Sequence, residues 1–298
     1  MSRLGLSRLA RAEERAAWLF LLPSAVLFLV FTALPVVSAF LISFTRWDLF
    51  NTPVFAWLDN YLTLFNDPIF RQVLGNTAFY VACAVPLQML LGLLCALGLN
   101  RGLVGQSFFR IVYFLPVVTS TVAVGLVWAW LFNSNFGLIN MGLSLLGATE
   151  LPKWLVSSRW AMPAVITVSV WQGLGYAMVL FLAGLQNIRQ DIYEAAALDG
   201  ATGWQRFWRI TLPLLSPMTF FVLIISIIGS FQIFELVYVM TKAGPANATN
   251  TLVYFIYQNG FMFYRMGYAS AAAMVLFLIV LVATLVQYRM QDRWVHYD

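Results

Sequence analysis

Charge is scarce in this chain. Asp, Glu, Lys and Arg supply only 10% of its 298 residues, against roughly 25% in a soluble domain. A surface so poor in charge cannot face water over most of its area, so a freely soluble globular fold is excluded. Histidine is almost missing: His296 stands alone, which rules out a histidine proton relay or a His-based metal cluster. The only cysteines, Cys83 and Cys95, lie in one apolar run and read as small buried hydrophobes rather than a disulfide framework or metal site. The only lysines are Lys153, after Pro152, and Lys242, after Thr241. Neither fits the Gly-Lys-Ser/Thr of a phosphate-binding loop, where lysine reaches the phosphates and the hydroxyl holds magnesium. The chain therefore cannot be an ATPase of that kind.

What remains is apolar. Hydrophobic residues make up 61% and aromatic residues 16%, with mean hydropathy +0.82. A membrane-crossing helix needs about 20 mostly apolar residues, and six stretches qualify: Ala17–Phe44, Thr77–Leu99, Ile111–Phe132, Trp160–Leu185, Leu214–Val239 and Tyr268–Tyr288. The first follows Arg3, Arg8, Arg11 and Arg15, but it is longer than the apolar part of a signal peptide and no clear small-residue cleavage site follows. It reads as a retained span behind a short N-terminal lead, residues 1–16, with residues 17–298 forming one membrane domain. The net charge of +5 belongs to span ends facing anionic lipid rather than to nucleic acid.

Six spans place both termini on one side. With the N-terminus inside, the inner segments hold 11 of the 17 basic residues and the outer segments 6, so the positive-inside rule puts both termini in the cytoplasm. Arg101, Arg110, Arg189, Arg206, Arg209, Arg289 and Arg293 join the N-terminal arginines on that side. Arg46, Arg71, Lys153, Arg159, Lys242 and Arg265 lie outside. No repeat of 20–50 residues, low-complexity tract or soluble domain interrupts the chain.

The inner loop, residues 186–213, is too long and too charged to be a connector. Asp191 with Glu194 three residues later suggests a capping box. Tyr193 to Leu198 are good helix formers, Gly200 can end a helix in the left-handed conformation, and a second short helix is expected over Thr202–Arg209. Pro213 suits the start of the fifth span. From the residues alone this is either an amphipathic pair lying on lipid or an element shaped to enter a cleft of a cytoplasmic partner.

Glu194-Ala195-Ala196, then Gly200, then Ile210-x-Leu212-Pro213 matches at every defining position the EAA motif of binding-protein-dependent ABC permeases. Phe114-Leu115-Pro116 and the run Gly244-Pro245, Thr249 to Tyr257, Gly260-Phe261 also resemble that family, in its maltose/glycerol-3-phosphate branch. The likeness extends from about Ala17 to Tyr297. One departure is Arg189-Gln190, where relatives often carry proline, so the helix start is less sharply set.

The resemblance implies an all-α, type I importer (MetI-like) permease of about six spans in the bacterial inner membrane. It further implies a second permease subunit, a homodimeric or heterodimeric cytoplasmic ATPase that alone binds ATP and magnesium, and an extracytoplasmic substrate-binding protein. This chain would carry no cofactor and no catalytic residue. Glu194, Ala195, Ala196, Asp199, Gly200, Ile210, Leu212 and Pro213 would couple it to the ATPase. The solute would be a sugar or oligosaccharide, with glycerol-3-phosphate as the alternative.

Polar and aromatic groups inside spans mark the candidate pathway: Trp171, Gly173 and Tyr176 in the fourth span, Ser230, Gln232 and Glu235 in the fifth. Aromatic faces stack on sugar rings and amides and hydroxyls bond their oxygens. The plain alternatives are close helix packing at Gly173 and Gly175, interface anchoring by Trp171 and a backbone bond from Ser230. A secondary transporter would show in-span acids and inverted repeats. A membrane enzyme would need a nucleophile–base pair.

Overall fold

The computed structural model describes residues 8–100 and 105–294, with side chains from 13 to 100 and from 105 to 291. Arg3, Arg101 and His296 lie outside the described residues. Two compact units are present. One comprises the chain up to Leu64 together with Asn259–Met274, and the other Phe65–Gln258 with the segment from Val275 onward.

In the first unit, α1 (Arg8–Phe28), a π-helical turn (Leu29–Ala33) and α2 (Leu34–Ile42) form one run. Its stretch Glu13–Ile42 is long and apolar enough to span and buries none of its apolar window. The helix passes over residue 16 without a break. After α2 come two short strands, β1 (Thr45–Arg46) and β2 (Val54–Phe55), paired antiparallel. Then comes α3 (Asp59–Asn66). Asn60 is buried and its amide donates to the carbonyls of Ser43 and Thr45, both at 2.8 Å. Arg46 pairs with Asp59 at 2.6 Å.

The elements from Pro68 to Tyr257 belong to the second unit, whereas the π turn and the long helix that follow are divided between the two units. α4 (Pro68–Leu99) is 32 residues long, about 48 Å at 1.5 Å per residue. It starts well before the expected Thr77. Asp67 accepts from the Ile69 amide and Pro68 occupies the first turn. Asn66-Asp67-Pro68 thus forms a helix start. α5 (Gln106–Val118) and α6 (Thr121–Leu131) follow, then α7 (Leu138–Leu145) and α8 (Ala161–Gln186).

The third expected span is present but broken. α5 and α6 meet at 97°, because Thr119 and Ser120 are extended (ψ 148° and 124°). The register of α4 on α8 decides whether the bent pair crosses or returns. Tyr80 meets Ser169, the Gln88 amide donates to the Gly173 carbonyl at 3.2 Å, and Gly92 abuts Ala177. Ala96 and Leu99 share a cluster with Phe181, Leu182 and Leu185. The numbers rise together, so α4 and α8 run parallel, and the chain between them must recross. It does so in steps. Gln106 donates to the Leu99 carbonyl at 2.7 Å, Gln172 to Thr121 at 3.1 Å, and Trp128 lies 5.4 Å from Trp171. Phe132 then reaches Trp154, which contacts Trp160 at the start of α8. The pair is one broken span.

After α8 come α9 (Gln190–Leu198), α10 (Gly203–Arg206), a π turn (Phe207–Thr211) and α11 (Leu212–Leu214). α12 (Ser216–Phe231), α13 (Glu235–Met240), α14 (Leu252–Tyr257), a π turn (Gln258–Met262) and α15 (Met266–Trp294) complete the order. Leu215 and Met218 pack at Gly184, and Leu236, Val237 and Met240 share a cluster with Met162 and Val165. The α12–α13 run is therefore antiparallel to α8. It too is interrupted, over Gln232–Phe234. Among the described residues, five helices or helical runs are long and apolar enough to cross, and the broken pair makes six. The expected all-α, multi-span architecture is what the chain adopts.

Candidate functional site

Both span interruptions open on one cavity. It has a volume of about 460 Å³, and Thr121 and Val117 line it from the first break, Gln232 to Glu235 from the second. A helix break at membrane depth is tolerated where the freed backbone groups face a cavity or are bonded by side chains. Here Thr251 donates to the Ile233 carbonyl at 3.1 Å, and Thr119 to the Pro116 carbonyl at 2.7 Å. Phe234 is held by Tyr238 and Tyr257, at ring-centre distances of 5.4 and 5.1 Å.

Of the residues singled out from sequence, Gly173, Tyr176, Ser230, Gln232 and Glu235 line this cavity together. Trp171 does not. It lies on a second, apolar cavity of about 590 Å³ with Leu174, Trp128 and Pro116. Successive residues on a helix point about 100° apart, so Ser169, Gln172, Gly173 and Tyr176 share one face and Trp171 with Leu174 another. Gly173 has a steric role as well. A Cβ there would sit 2.8 Å from the Gln88 amide, which also lines the cavity.

Tyr80, Gln88, Ser169, Gln172 and Ser226 line the cavity too, with Thr121, and had not been singled out. Each is a polar group within an apolar run, and that alone was the available signal. The lining is rich in neutral hydroxyls and amides. Among the described residues, Glu235 is the one carboxylate that lines it and no lysine or arginine does.

At the other end of α8, the loop carries its own short helices. α9 buries none of its residues. Glu194, Ala195 and Asp199 are exposed, and Leu198 is 90% exposed. Asp191 is a correction: Arg189, not Asp191, occupies the cap position, and it makes no side-chain capping bond. The Asp191 carboxylate is instead forked by the Arg189 guanidinium, whose hydrogen bonding holds it below the usual carboxylate range. Gly200 ends the helix at φ +77°. The amides of Gly200 and Ala201 close back on Ala197 and Ala196 at 3.1 and 2.9 Å. A Cβ at Gly200 would meet nothing, so glycine is needed there for its backbone and not for space.

The capping box falls one helix later than expected. Thr202 accepts from the Gln205 amide, and the Gln205 side chain accepts from the Thr202 amide. The second helix is regular only over Gly203–Arg206 before it widens into the π turn. Ile210, Leu212 and Pro213 are half-buried where the run enters the span.

These features define a multi-pass membrane permease. The chain belongs to the family of binding-protein-dependent transport system inner membrane components, whose model matches residues 88–296. It is 37% identical over 296 residues to the probable ABC transporter permease protein YesP of Bacillus subtilis (strain 168), covering 98% of this chain and 95% of that one. It is 36% identical over 282 residues to the arabinooligosaccharides transport system permease protein AraP of the same organism, covering 94% and 89%. Among solved structures, a chain of a bacterial ABC transporter involved in the import of the acidic polysaccharide alginate matches with TM-score 0.84 and 25% identity, over 96% of this chain and 99% of that chain.

Proposed function

We propose that this chain is a permease subunit of an ATP-driven carbohydrate importer, forming half of a solute pathway and coupled to a separate ATPase through residues 186–213. One observation carries the reading. The exposed loop that bears Glu194, Asp199 and Gly200 leads into a run from Gly203 to Phe231, helical but for Leu215, that ends on the polar cavity. A push on the loop therefore has a continuous route along the chain to the solute site. ATP and magnesium chemistry is assigned to the partner. The loop end faces the cytoplasm, as do both termini, and the opposite end receives solute from a binding protein.

The cavity supports the solute class. Hydroxyls and amides with Tyr176 and Phe234 suit a polyhydroxylated ring, and a lining with no lysine or arginine among the described residues favours an uncharged sugar over glycerol-3-phosphate. The relative named for arabinooligosaccharides supports an oligosaccharide.

The reading is tested by tagging the chain, extracting it from its own membranes and identifying its companions by mass spectrometry. An ATPase subunit and a second permease are expected. Recovery of this chain alone, under conditions that preserve known importers, would overturn it.

A further inference from the structure

Almost nothing holds α9 in place. It buries no residue, and its backbone continues at one end into α8 and at the other into the Gly200 turn. Among the described residues, one side-chain hydrogen bond ties it to the helical run beyond that turn: the Tyr193 hydroxyl meets Thr211 Oγ1 at 2.9 Å. Thr211 is buried and is the last residue of the π turn. Its hydroxyl also reaches the Arg206 carbonyl at 3.4 Å, as donor. Thr211 has one proton to give, so Tyr193 is the donor in the pair.

The place of this bond matters. A π turn inserts an i→i+5 bulge into a helix; such bulges recur at functional sites and are among the places where helices kink. Pro213, two residues on, contributes no amide to the helix. Between the exposed loop and the cavity, Phe207–Thr211 is thus the segment best able to absorb a push by deforming. The Tyr193 bond bridges from α9 to the far edge of that segment.

We propose that Tyr193 and Thr211 form a strut that transmits movement of α9 past the π turn into α12, making Tyr193 a positioning residue for coupling. The proposal rests on the reading of residues 186–213 as the ATPase-docking loop. Without the strut, α9 moves while the turn yields, and ATP hydrolysis runs without rearranging the cavity.

The test uses the whole importer in inside-out membrane vesicles, with Cys83 and Cys95 replaced by alanine and a reporter cysteine at Gly229. That position is exposed, lines the cavity, and has open space for a Cβ. ATP should change the rate at which a water-soluble maleimide labels the reporter. Tyr193→Phe, which keeps the ring, should shrink that ATP-dependent change by about fivefold, in line with the loss of one partly buried hydrogen bond. ATP hydrolysis should continue. Thr211→Val should do the same, the double variant should do no more than either alone, and Thr211→Ser should respond like the wild type.

An unchanged response in Tyr193→Phe, or losses that multiply in the double variant, would overturn the strut. Glu194→Lys is run in parallel. If it abolishes the response while Tyr193→Phe does not, only the strut fails. If Glu194→Lys leaves the response intact, the docking reading fails and the strut with it.

Discussion

Gly175 is where two helices approach each other very closely. A Cβ built there would lie 2.1 Å from the Tyr113 carbonyl oxygen and 2.9 Å from the Phe114 Cα. Both are backbone atoms, so no side chain can swing aside. Ordinary contact between carbon and oxygen needs about 3.3 Å, so Gly175→Ala must drive α5 from α8 by about 1 Å. Overpacking of this sort costs roughly 1–3 kcal/mol and sometimes more. It also acts on a helix that lines the polar cavity through Val117.

Gly98 provides the contrast. It is also helical, but its Cβ would meet nothing within 4 Å. Gly98→Ala should gain up to about 1 kcal/mol of helix propensity. Both variants are made in full-length protein and their loss of monodispersity on heating in mild detergent is followed by size-exclusion chromatography. Gly175→Ala should aggregate several degrees below the parent, and Gly98→Ala at or above it. Equal behaviour of the two variants would refute the tight α5–α8 approach and the broken-span geometry built on it.

Other outcomes follow from the same geometry. Thr251→Val leaves the Ile233 carbonyl without its side-chain donor and should destabilise by about 1–3 kcal/mol, seen in the same heating assay. Gln88→Leu and Gln232→Leu should each raise the KM for uptake while leaving membrane abundance unchanged, as both amides line the cavity. Gly200→Ala places a Cβ at φ +77° and should cost about 1–2 kcal/mol locally, weakening uptake more than it lowers the heating midpoint. Glu194→Lys should abolish uptake with the protein still in the membrane, which an uptake assay beside an immunoblot will show.

Much of this could be read from the chain. Hydropathy located all six spans, because lipid imposes a length and an apolar composition that no tertiary contact overrides. It could not find the breaks. Pro86 sits inside α4 without interrupting it, whereas the third span breaks at Thr119–Ser120, three residues beyond Pro116. The fifth breaks at Gln232–Phe234 with no proline there, and the Ile233 carbonyl is satisfied from Thr251, 18 residues away. The second break is satisfied from a distant residue, of which a local pattern carries no trace, while the first is closed locally by Thr119 on the Pro116 carbonyl.

The cavity residues were legible in part for a related reason. Ser230, Gln232 and Glu235 stood out as a cluster in one short stretch. Tyr80 and Gln88 stand singly among apolar neighbours, with no polar cluster around them to mark a site. Trp171 was grouped with Gly173 and Tyr176 by adjacency, whereas helical periodicity places Ser169 and Gln172 with them instead. The loop's capping was misplaced because Asp191 found a stronger partner in Arg189.

The central claim is that the exposed helix α9 is where an ATPase docks. Leu198 is 90% exposed at its tip, so no packing among the described residues accounts for a large apolar side chain there. A photo-crosslinking amino acid placed at position 198 in the native membrane tests this directly. The account predicts a discrete adduct whose partner, identified by mass spectrometry, is an ATP-binding subunit, and its disappearance in Glu194→Lys. Cross-linking to lipid alone, with no protein adduct in an importer that still transports, would contradict it.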